Sequence, residues 1–407
     1  MTKYLDIVDP IHNFIRVYET ELKIIDSPIF QRLRRIRQLS GAHLTYPGAQ
    51  HSRFEHSLGV LHIAGQAAMA LKEKGLLSSD QIRDIRLAAL LHDVGHGPFS
   101  HLFEEVLQIK KKISHEEIGR RLILHSEIGD ILAKSSINKK FITKLAFGDS
   151  KYRFVNEIIS GSLSADMMDY LQRDAYFTGA EHAKIDQQRI IRSLDVYKSK
   201  LALDRSALYS FESMILSRYQ MFKAVYFHKT VRSAEVMMLE SIRLADDECG
   251  FTSLNLDDYV KMTDEFVVSR ILGLSESTKE LRRAKKFAED YQNRRLLKCV
   301  FEKIMTHPQK LQDQIRDKIA RKSKVDRSEI FVDTSTTSSL PLTPSKEKTR
   351  SIILISRDSR SAKEIPFSKI PVVSSMSESM NILRIYTAQE HRKKVEIAAK
   401  SILGVQK

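Results

Sequence analysis

The feature of this sequence that most constrains its fold is the recurrence of apolar residues every three to four positions. Such a period places the apolar side chains on one face of a helix. It runs through residues 56–74, 80–93, 115–133 and 152–174. The stretches 205–248 and 276–322 also favour helices. Glycines such as Gly75 and Gly148 separate the segments. The sequence therefore predicts an all-helical region up to about residue 325.

The pattern changes after residue 325. Short apolar runs typical of β-strands stand at 330–332, 352–355, 370–373 and 382–386. A final helix is expected at about 388–403, and the Ser/Thr/Pro-rich segment 333–349 is typical of a linker or mobile loop. At the other end, residues 1–26 look extended or irregular. We therefore predict a mostly α-helical protein, with a helical core at 1–325 and a small α+β C-terminal lobe at 326–407 that contains the linker.

The composition is that of a globular protein with a sizeable core. Of the 407 residues, 42% are hydrophobic. No apolar run approaches the roughly 18 residues that a membrane span needs, and the N-terminus lacks a signal-peptide pattern. The two cysteines, Cys249 and Cys299, are too few for a disulfide framework. We therefore expect a cytoplasmic protein that does not enter the membrane.

Charge and histidine content both bear on function. The formal net charge of +15 favours anionic partners such as nucleotides, phosphates or nucleic acid. A solvated basic surface explains the charge equally well. Histidine gives a sharper indication, since eight of the fourteen lie between His43 and His115. Such clustering indicates a site.

The most informative segment is 87–101, in which an apolar helix leads directly into His92 and Asp93. An imidazole and a carboxylate side by side at a helix end can bind one metal ion. The alternative is a buried helix that ends in a hydrogen-bonded histidine and a capping aspartate, and for an isolated dipeptide that is the commoner case. This dipeptide is not isolated, because His56 stands upstream and Asp166 downstream.

The order His…His-Asp…Asp is the metal-binding pattern of the HD superfamily. More closely, the sequence resembles the deoxynucleoside triphosphate triphosphohydrolases of that superfamily, including members with a SAM domain, although no SAM-like segment is recognised here. The matched stretches are Asp9–His12, Phe30–Leu33, Tyr46–Ala49, Arg53–Gly59, His92–Phe103, His115–Glu116, Asp169–Asp174, His228–Lys229 and Arg384–Tyr386. They extend through most of the chain and into the C-terminal lobe, so the resemblance implies that the helical core at 1–325 is an HD-domain phosphohydrolase core.

The resemblance implies that His56, His92, Asp93 and Asp166 are metal ligands. Two imidazoles and two carboxylates suit a divalent transition metal such as Fe, Mn, Co or Zn, and Mg is expected to accompany a bound triphosphate. The reaction of the family is water attack at the α-phosphate of a dNTP, which releases a deoxynucleoside and intact triphosphate.

The resemblance also implies residues that contact phosphate. Arg53, one helical turn before a ligand, would hold an α-phosphate oxygen and assist catalysis. It could instead form a salt bridge with Glu55 or another acid. His96 and His101 follow the His-Asp pair at positions that contact phosphate in the family, His96 with a catalytic role. Core or surface histidines are the alternative for both.

His115 corresponds to the family's proposed general acid, since a leaving 5′-oxygen needs a proton and an imidazole titrates in the useful range. Ser114 and Glu117 at the same place fit a helix cap. The two readings are compatible, because a residue in the first turn of a helix can still reach substrate.

Asp166, Tyr170 and Asp174 recur at every fourth position and therefore share one helix face. The resemblance implies that Tyr170 lies beside the sugar and that Asp174 binds its 3′-hydroxyl together with Gln38. It further implies that Leu39 crowds the 2′ carbon and so selects deoxyribose.

Arg218 and Tyr226 lie on a second stripe with near-helical spacing. Spacing alone favours a core stripe. The resemblance assigns Arg218 to the γ-phosphate and Tyr226 to the sugar or base. Asp169 and Arg173 are expected to form packing or helix-stabilising pairs.

The sequence departs from the family at two places near the substrate. Met167 stands where the vertebrate enzyme has a phosphate-binding lysine, so one triphosphate contact is lost or supplied elsewhere. Phe222 and Ala224 replace a basic pair before Tyr226. The first departure leaves the specificity for a triphosphate open.

In the vertebrate enzyme nucleotides bind between subunits and drive assembly, which implies a homo-oligomer, a dimer or a tetramer, with a nucleotide activator. Residues that match such an activator site are Asp26, Gln31, Arg34, His228 and Lys229. Leu5 and Asp6 do not match it, and most of its other basic positions are missing.

Two other functions remain open on the sequence. One is an HD hydrolase of another nucleotide or of a nucleic-acid phosphoester, which Met167 leaves room for. The other is a non-catalytic nucleic-acid-binding protein with an HD fold, which the net charge favours and the intact ligand set disfavours.

Overall fold

The computed structural model of the protein describes residues 4–253, 255–305, 312–335, 351–356, 361–370, 372 and 381–404. Helices dominate this part of the chain. The helices of the first half are α1 Glu19–Ile25, α2 Pro28–Gln31, α3 Arg53–Glu73, α4 Ser79–Leu91, α5 His101–Lys111, α6 His115–His125, α7 Glu127–Lys134, α8 Lys139–Ala146, α9 Arg153–Ile159, α10 Ala165–Thr178 and α11 Gln187–Arg192. Those of the second half are α12 Leu208–Met221, α13 Lys229–Cys249, α14 Leu256–Tyr259, α15 Asp264–Leu272, α16 Lys279–Gln292, α17 Gln312–Ser323 and α18 Arg392–Leu403.

The strands form three small sheets. They are β1 Tyr4–Asp9, β2 Asn13–Tyr18, β3 Leu194–Tyr197, β4 Lys200–Asp204, β5 Lys298–Met305, β6 Ile330–Ser335, β7 Ser351–Ser356, β8 Ser361–Pro366 and β9 Asn381–Thr387. The orders are β1-β2, β3-β4-β7-β8 and β5-β9-β6. All pairings are antiparallel except β4 with β7. The predicted fold class, a helical core with an α+β C-terminal part, is confirmed.

The predicted helical segments are present, with breaks that the periodicity did not locate. The segment 115–133 is two helices separated at Ser126, and 152–174 is two helices separated by residues 160–164. Ser126 caps the second helix of the first pair by accepting from Ile128 N. A cap of this kind begins a new helix without interrupting the apolar period, because the next helix also buries its apolar face.

The expectation of an all-helical region up to residue 325 is wrong, because five strands lie before that point. The extended N-terminal segment is a β-hairpin, β1-β2, followed by helix α1. Strands β3 and β4 join through Lys198 and Ser199, whose φ values of 48° and 62° suit a tight two-residue turn. The other partner of β4, strand β7, lies about 150 residues further along the chain, and that pairing leaves no local pattern in the sequence.

The sheets combine residues from both sides of position 325. Strand β5 precedes this position and pairs with β9, while β4 pairs with β7. A small apolar cluster, separate from the main core, lies between the β5-β9-β6 sheet and helices α17 and α18, and includes Ile319, Ile330 and Val395. The division into 1–325 and 326–407 stays a prediction.

Parts of the C-terminal prediction fall outside the described residues. Residues 333–335 of the predicted linker belong to β6, and 336–349 are outside the described ranges. The strand predicted at 370–373 is also partly outside them, and Ile370 follows a 3-10 turn at Phe367–Lys369. Strand β8 was not predicted. Within the described ranges, none of the helices combines the length and apolar character that crossing a bilayer requires.

Helices α3 and α10 pack closely against each other in the main core. Helix α3 begins with a capping box, in which Ser52 accepts from Phe54 N and Glu55 accepts from Ser52 N. Gly59 faces α10, and a Cβ atom added to it would lie 1.8 Å from Asp169 Oδ1 and 2.7 Å from an Arg173 nitrogen. The two helices therefore approach this closely only because residue 59 has no side chain.

We expect Gly59→Ala to lower the free energy of unfolding by at least about 3 kcal/mol, because the new methyl group displaces a buried ion pair. Urea denaturation followed by circular dichroism measures this. Gly273→Ala is the matched control, since its Cβ would make ordinary contacts of 3.5 and 3.7 Å at a φ of −79°. A loss of similar size in the two variants would contradict the argument.

Candidate metal centre and substrate site

The four predicted metal ligands converge at one point. His56 comes from α3, His92 and Asp93 directly follow α4, and Asp166 is in the first turn of α10. His56 Nε2 lies 3.2 Å from Asp166 Oδ1 and 3.7 Å from Asp93 Oδ2. His92 Nε2 lies 3.3 Å from Asp93 Oδ1 and 4.0 Å from Asp166 Oδ1. Residues from three helices thus place four donor groups around a common centre.

Both histidines are oriented for metal binding by the hydrogen bond of their other ring nitrogen. His56 Nδ1 donates to Asp169 Oδ2 at 2.8 Å, and His92 Nδ1 donates to the carbonyl of Ala89 at 2.8 Å. Each Nε2 is therefore the nitrogen that faces the centre, and it can bind a metal ion once its proton has been released. His92 Nε2 is buried, and no hydrogen-bond partner for it occurs in the described part of the chain. A buried ring nitrogen without a hydrogen-bond partner, with two carboxylates beside it, fits a divalent transition metal.

The charges around the centre are strongly coupled. Burial alone would lower the pKa of His56, but the hydrogen bonds with Asp166 and Asp169 raise it to about 10. Burial would raise the pKa of Asp93, but His92 and Arg53 outweigh it and hold the pKa well below its usual value. Asp93 is therefore ionised, as a metal ligand must be.

The sequence analysis missed the function of Asp169. The expected pair with Arg173 exists, since Arg173 Nε donates to Asp169 Oδ2 at 2.9 Å. The same carboxylate also accepts from His56 Nδ1 and from His12 Nε2, the latter at 2.7 Å. The sequence does contain an indication of this role. A metal-binding histidine regularly donates to a carboxylate, and Asp169 lies about one helical turn after Asp166.

Arg53 is buried beside the ligands. Its Nε donates to Ser100 Oγ at 2.7 Å, and its Nη1 donates to Asp93. Ser100, with a φ of 54°, in turn donates to the carbonyl of Arg37 at 2.8 Å. The salt bridge considered for Arg53 is present, but with Asp93 rather than with Glu55. A guanidinium held at the edge of the metal centre can bind a phosphate oxygen there.

The three histidines that follow the ligands form one cluster around Glu104. The rings of His96 and His115 stack with centroids 3.8 Å apart and planes at 15°. His115 Nδ1 donates to Glu104 Oε1 at 2.7 Å, and His101 Nδ1 lies 3.5 Å from Glu104 Oε2. His115 is also the first residue of α6, and Ser114 caps that helix as predicted. Sequence reasoning missed Glu104, which holds two of the histidines.

Burial differs among these groups. Burial and the nearby Arg53 lower the pKa of His96 well below its ordinary value. Burial would raise the pKa of Glu104, but hydrogen bonds from His101 and His115 lower it strongly. The side chain of His101 is 77% exposed. His101 is therefore the member of the cluster that is open to solvent.

The residues predicted to read the sugar lie on and opposite α10. Asp174 is two turns after Asp166, and its Oδ2 accepts from the hydroxyl of Tyr226 at 2.5 Å. Tyr226 ends a π-helical turn and lies edge to face with Tyr170, with centroids 6.5 Å apart. Gln38 Oε1 is buried and makes no hydrogen bond to any residue that the structure describes. Two predicted sugar-contacting groups, Asp174 and Tyr226, are thus in direct contact.

A cavity of about 730 Å³ extends from the metal centre towards the β3-β4-β7-β8 sheet. Its lining includes Asp166, Met167 and Arg218, and also Arg153, Lys200 and Glu364. Arg218 is thus placed on the same cavity as a predicted metal ligand. Leu39, by contrast, is half-buried and packs against the main core.

The residues predicted for an activator site fall into two groups. Gln31 donates to the carbonyl of Ile25 at 2.8 Å and accepts from Arg34 Nε at 2.8 Å, and Asp26 ends α1 beside them. The other group is at the start of α13, where His228 accepts from Thr230 N and the carbonyl of Lys229 accepts from Tyr386. No ligand-binding role follows from these contacts, and the activator site stays a prediction.

A helical core that brings two histidines and two aspartates to one point defines an HD-domain hydrolase. Residues 53–174 match the HD domain, and residues 185–407, more than half of the chain, match the HD associated region. The chain therefore belongs to the HD-domain phosphohydrolase family. Divalent metal binding is a property of HD domains.

The relatives of the chain include proteins with and without a named activity. An uncharacterized protein of Bacillus subtilis, YwfO, is 37% identical over 280 residues, 64% of each chain. The deoxynucleoside triphosphate triphosphohydrolase SAMHD1 homolog of Dictyostelium discoideum is 32% identical over 317 residues, which cover 73% of this chain and 60% of the relative. Both matches thus span less than two thirds of the curated relative. A solved structure of a hypothetical protein from Aquifex aeolicus is 30% identical and covers 97% of this chain and 100% of its own, with a TM-score of 0.78.

We expect Asp169→Asn to lower metal affinity about 10- to 100-fold without removing a ligand, because His56 loses the carboxylate that orients it. Titration of the metal-stripped protein with Mn²⁺ or Fe²⁺ measures this, after circular dichroism has shown that the variant is folded. His62→Gln is the control, since His62 is also on α3 but hydrogen-bonds Gln66. Equal affinity of the Asp169 variant and the parent protein would contradict the role.

Proposed function

We propose that the protein is a metal-dependent dNTP triphosphohydrolase, which hydrolyses dNTPs to deoxynucleoside and triphosphate by water attack at the α-phosphate. The observation that carries the proposal is the face of α10. Asp166 at its start belongs to the metal centre, and Asp174, about 12 Å further along the helix, belongs to a polar cluster with Tyr226. The relative from Dictyostelium named for this activity supports the choice of substrate.

The metal centre would act on the α-phosphate. A divalent metal held by His56, His92, Asp93 and Asp166 supplies a Lewis acid and lowers the pKa of a bound water. In the proposal Arg53, fixed by Asp93 and Ser100, orients an α-phosphate oxygen. Mg²⁺ would accompany the remaining phosphates.

The stacked histidines would serve the leaving group and the phosphates. The Nδ1–H of His115 donates a hydrogen bond to Glu104. Nε2 is therefore the nitrogen that can hold a proton and deliver it to the leaving 5′-oxygen. His96, buried against His115 and held in the neutral form, would donate a hydrogen bond to phosphate, and the exposed His101 would contact it from the solvent side. Arg218 on the cavity wall would contact the γ-phosphate, where it compensates in part for the missing lysine at Met167.

The sugar would lie along α10. Tyr170 and Tyr226 would flank it, while Asp174 and Gln38 would bind its 3′-hydroxyl and Leu39 would limit space at the 2′ carbon. The buried and unpaired Oε1 of Gln38 supports this, because a buried amide oxygen without a partner is costly unless a ligand supplies one. The proposal extends to a cytoplasmic homo-oligomer, dimer or tetramer, with a nucleotide activator bound at Asp26, Gln31, Arg34, His228 and Lys229.

Product analysis tests the proposal. The protein is loaded with Mn²⁺ and Mg²⁺ and incubated with each dNTP, NTP and dNMP, with and without GTP, and the products are separated by ion-exchange chromatography. We expect deoxynucleoside and intact triphosphate from dNTPs. Stepwise release of single phosphates, or hydrolysis of dNMPs or of single-stranded nucleic acid alone, would contradict it and favour a different HD hydrolase.

We expect His115→Gln to lower kcat about 10²- to 10⁴-fold with a small change in KM, because the variant has no group that can protonate the leaving oxygen. His125→Gln, at the other end of α6, is the matched control and should keep the parent kcat. p-Nitrophenyl triphosphate puts p-nitrophenolate, a leaving group that needs no proton, in the place of the nucleoside, so the variant should lose much less rate with this substrate. An unchanged kcat with dNTPs would remove His115 from the mechanism.

A further inference from the structure

We infer that His51 is a positioning residue that holds Asp174 and Gln38 in a fixed relation to each other and thereby sets the selectivity for the sugar hydroxyl. The inference rests on the proposed function, which assigns those two residues to the 3′-hydroxyl. His51 itself lies in the loop before α3, and its hydrogen bonds are with Asp174 and Gln38.

His51 contacts both sugar-reading residues. Its Nε2 donates to Asp174 Oδ1 at 2.8 Å, and its carbonyl oxygen accepts from the backbone N–H of Gln38 at 3.1 Å. The side chains of His51 and Asp174 are 0% and 2% exposed, so water does not compete for this bond. One residue thus links the loop that carries Gln38 to the helix that carries Asp174.

The imidazole of His51 is held in place by its surroundings. Its ring stacks on Phe177 with centroids 4.8 Å apart and planes at 17°. Its Nδ1 is buried, and among the described residues it has no hydrogen-bond partner. Within the described ranges the bond to Asp174 is therefore the hydrogen bond that orients this ring, and stacking on Phe177 fixes its plane.

The loop before His51 is pressed against the end of the same helix. A Cβ atom added to Gly48 would lie 2.5 Å from the carbonyl oxygen of Phe177. The loop and the C-terminal turn of α10 are therefore in backbone contact, and the distance between His51 and Asp174 cannot vary freely.

The consequence for Asp174 is a carboxylate that cannot rotate. His51 donates to one oxygen and Tyr226 to the other. Each oxygen keeps a further lone pair, and a hydroxyl of the substrate can donate to it without reorganising the site. Without His51 the carboxylate would turn about its bond to Cβ, and part of its interaction with the hydroxyl would be lost.

Two variants separate the hydrogen bond from the packing. His51→Phe keeps a ring against Phe177 and removes the donor, while His51→Gln keeps a donor and removes the ring. The kcat/KM of each is measured with the dNTP that the parent protein hydrolyses fastest and with its 2′,3′-dideoxy counterpart, which lacks the hydroxyl. We expect His51→Phe to lose about 10-fold or more with the dNTP and less than 2-fold with the dideoxy substrate, and His51→Gln to recover part of the loss.

The outcomes are distinguishable. Equal losses with both substrates would overturn the inference and leave the proposed function intact, since His51 would then act only through folding. A parent protein that treats both substrates alike would overturn it as well, because Asp174 would not be reading the hydroxyl. Absence of any dNTP hydrolysis by the parent protein would overturn the proposed function and the inference together. His62→Gln, a partly buried histidine away from Asp174, should show the parent selectivity.

Discussion

The carboxylate of Asp169 is the group on which the metal centre and the helical core both depend. It is fully buried, and it accepts hydrogen bonds from Arg173, from His12 and from the predicted metal ligand His56. Burying such a charge costs several kcal/mol unless it is completely compensated. Burial would raise the pKa of Asp169, but Arg173 and the two histidines hold it well below its usual value. The group is therefore always ionised when the protein is folded.

This compensation joins parts of the chain that are far apart in sequence. Asp9 in the hairpin turn also accepts from Arg173, at 2.8 Å, and its other contacts to the backbone N–H groups of Ile11 and His12 shape the turn. The N-terminal hairpin, α3 and α10 thus meet at one ion cluster. Because His56 belongs to that cluster, the geometry of the metal centre is fixed by the same contacts that fix the helix crossing. His12 of the hairpin and the predicted ligand His56 both donate to Asp169, so a change in the hairpin would reach His56 through these two hydrogen bonds.

The sequence predicted those parts of the molecule that follow from local pattern. Apolar periodicity located most helices, and the ordered motif identified His56, His92, Asp93 and Asp166, which the structure brings together. Strands β4 and β5 were missed because their partners β7 and β9 lie about 80 to 150 residues away, and β3 was missed together with β4, its hairpin partner. The roles of Asp169, Glu104 and His51 were not predicted for a related reason. A carboxylate or imidazole that orients another side chain is defined by a neighbour in space, and its own position in a helix or loop resembles that of any packed polar residue.

The distribution of groups between the two matched regions suggests how catalysis and selectivity are divided. The four predicted metal ligands, Arg53 and the histidine cluster lie within 53–174, the part that matches the HD domain. Arg218, Tyr226, Lys200 and Glu364 come from the HD associated region at 185–407. The cations that line the cavity come from both regions, Arg153 from the first and Lys200 and Arg218 from the second. A phosphate chain bound there would meet cations of both regions, whereas the predicted metal ligands all come from one. The contacts from the associated region can therefore change while the metal centre stays the same.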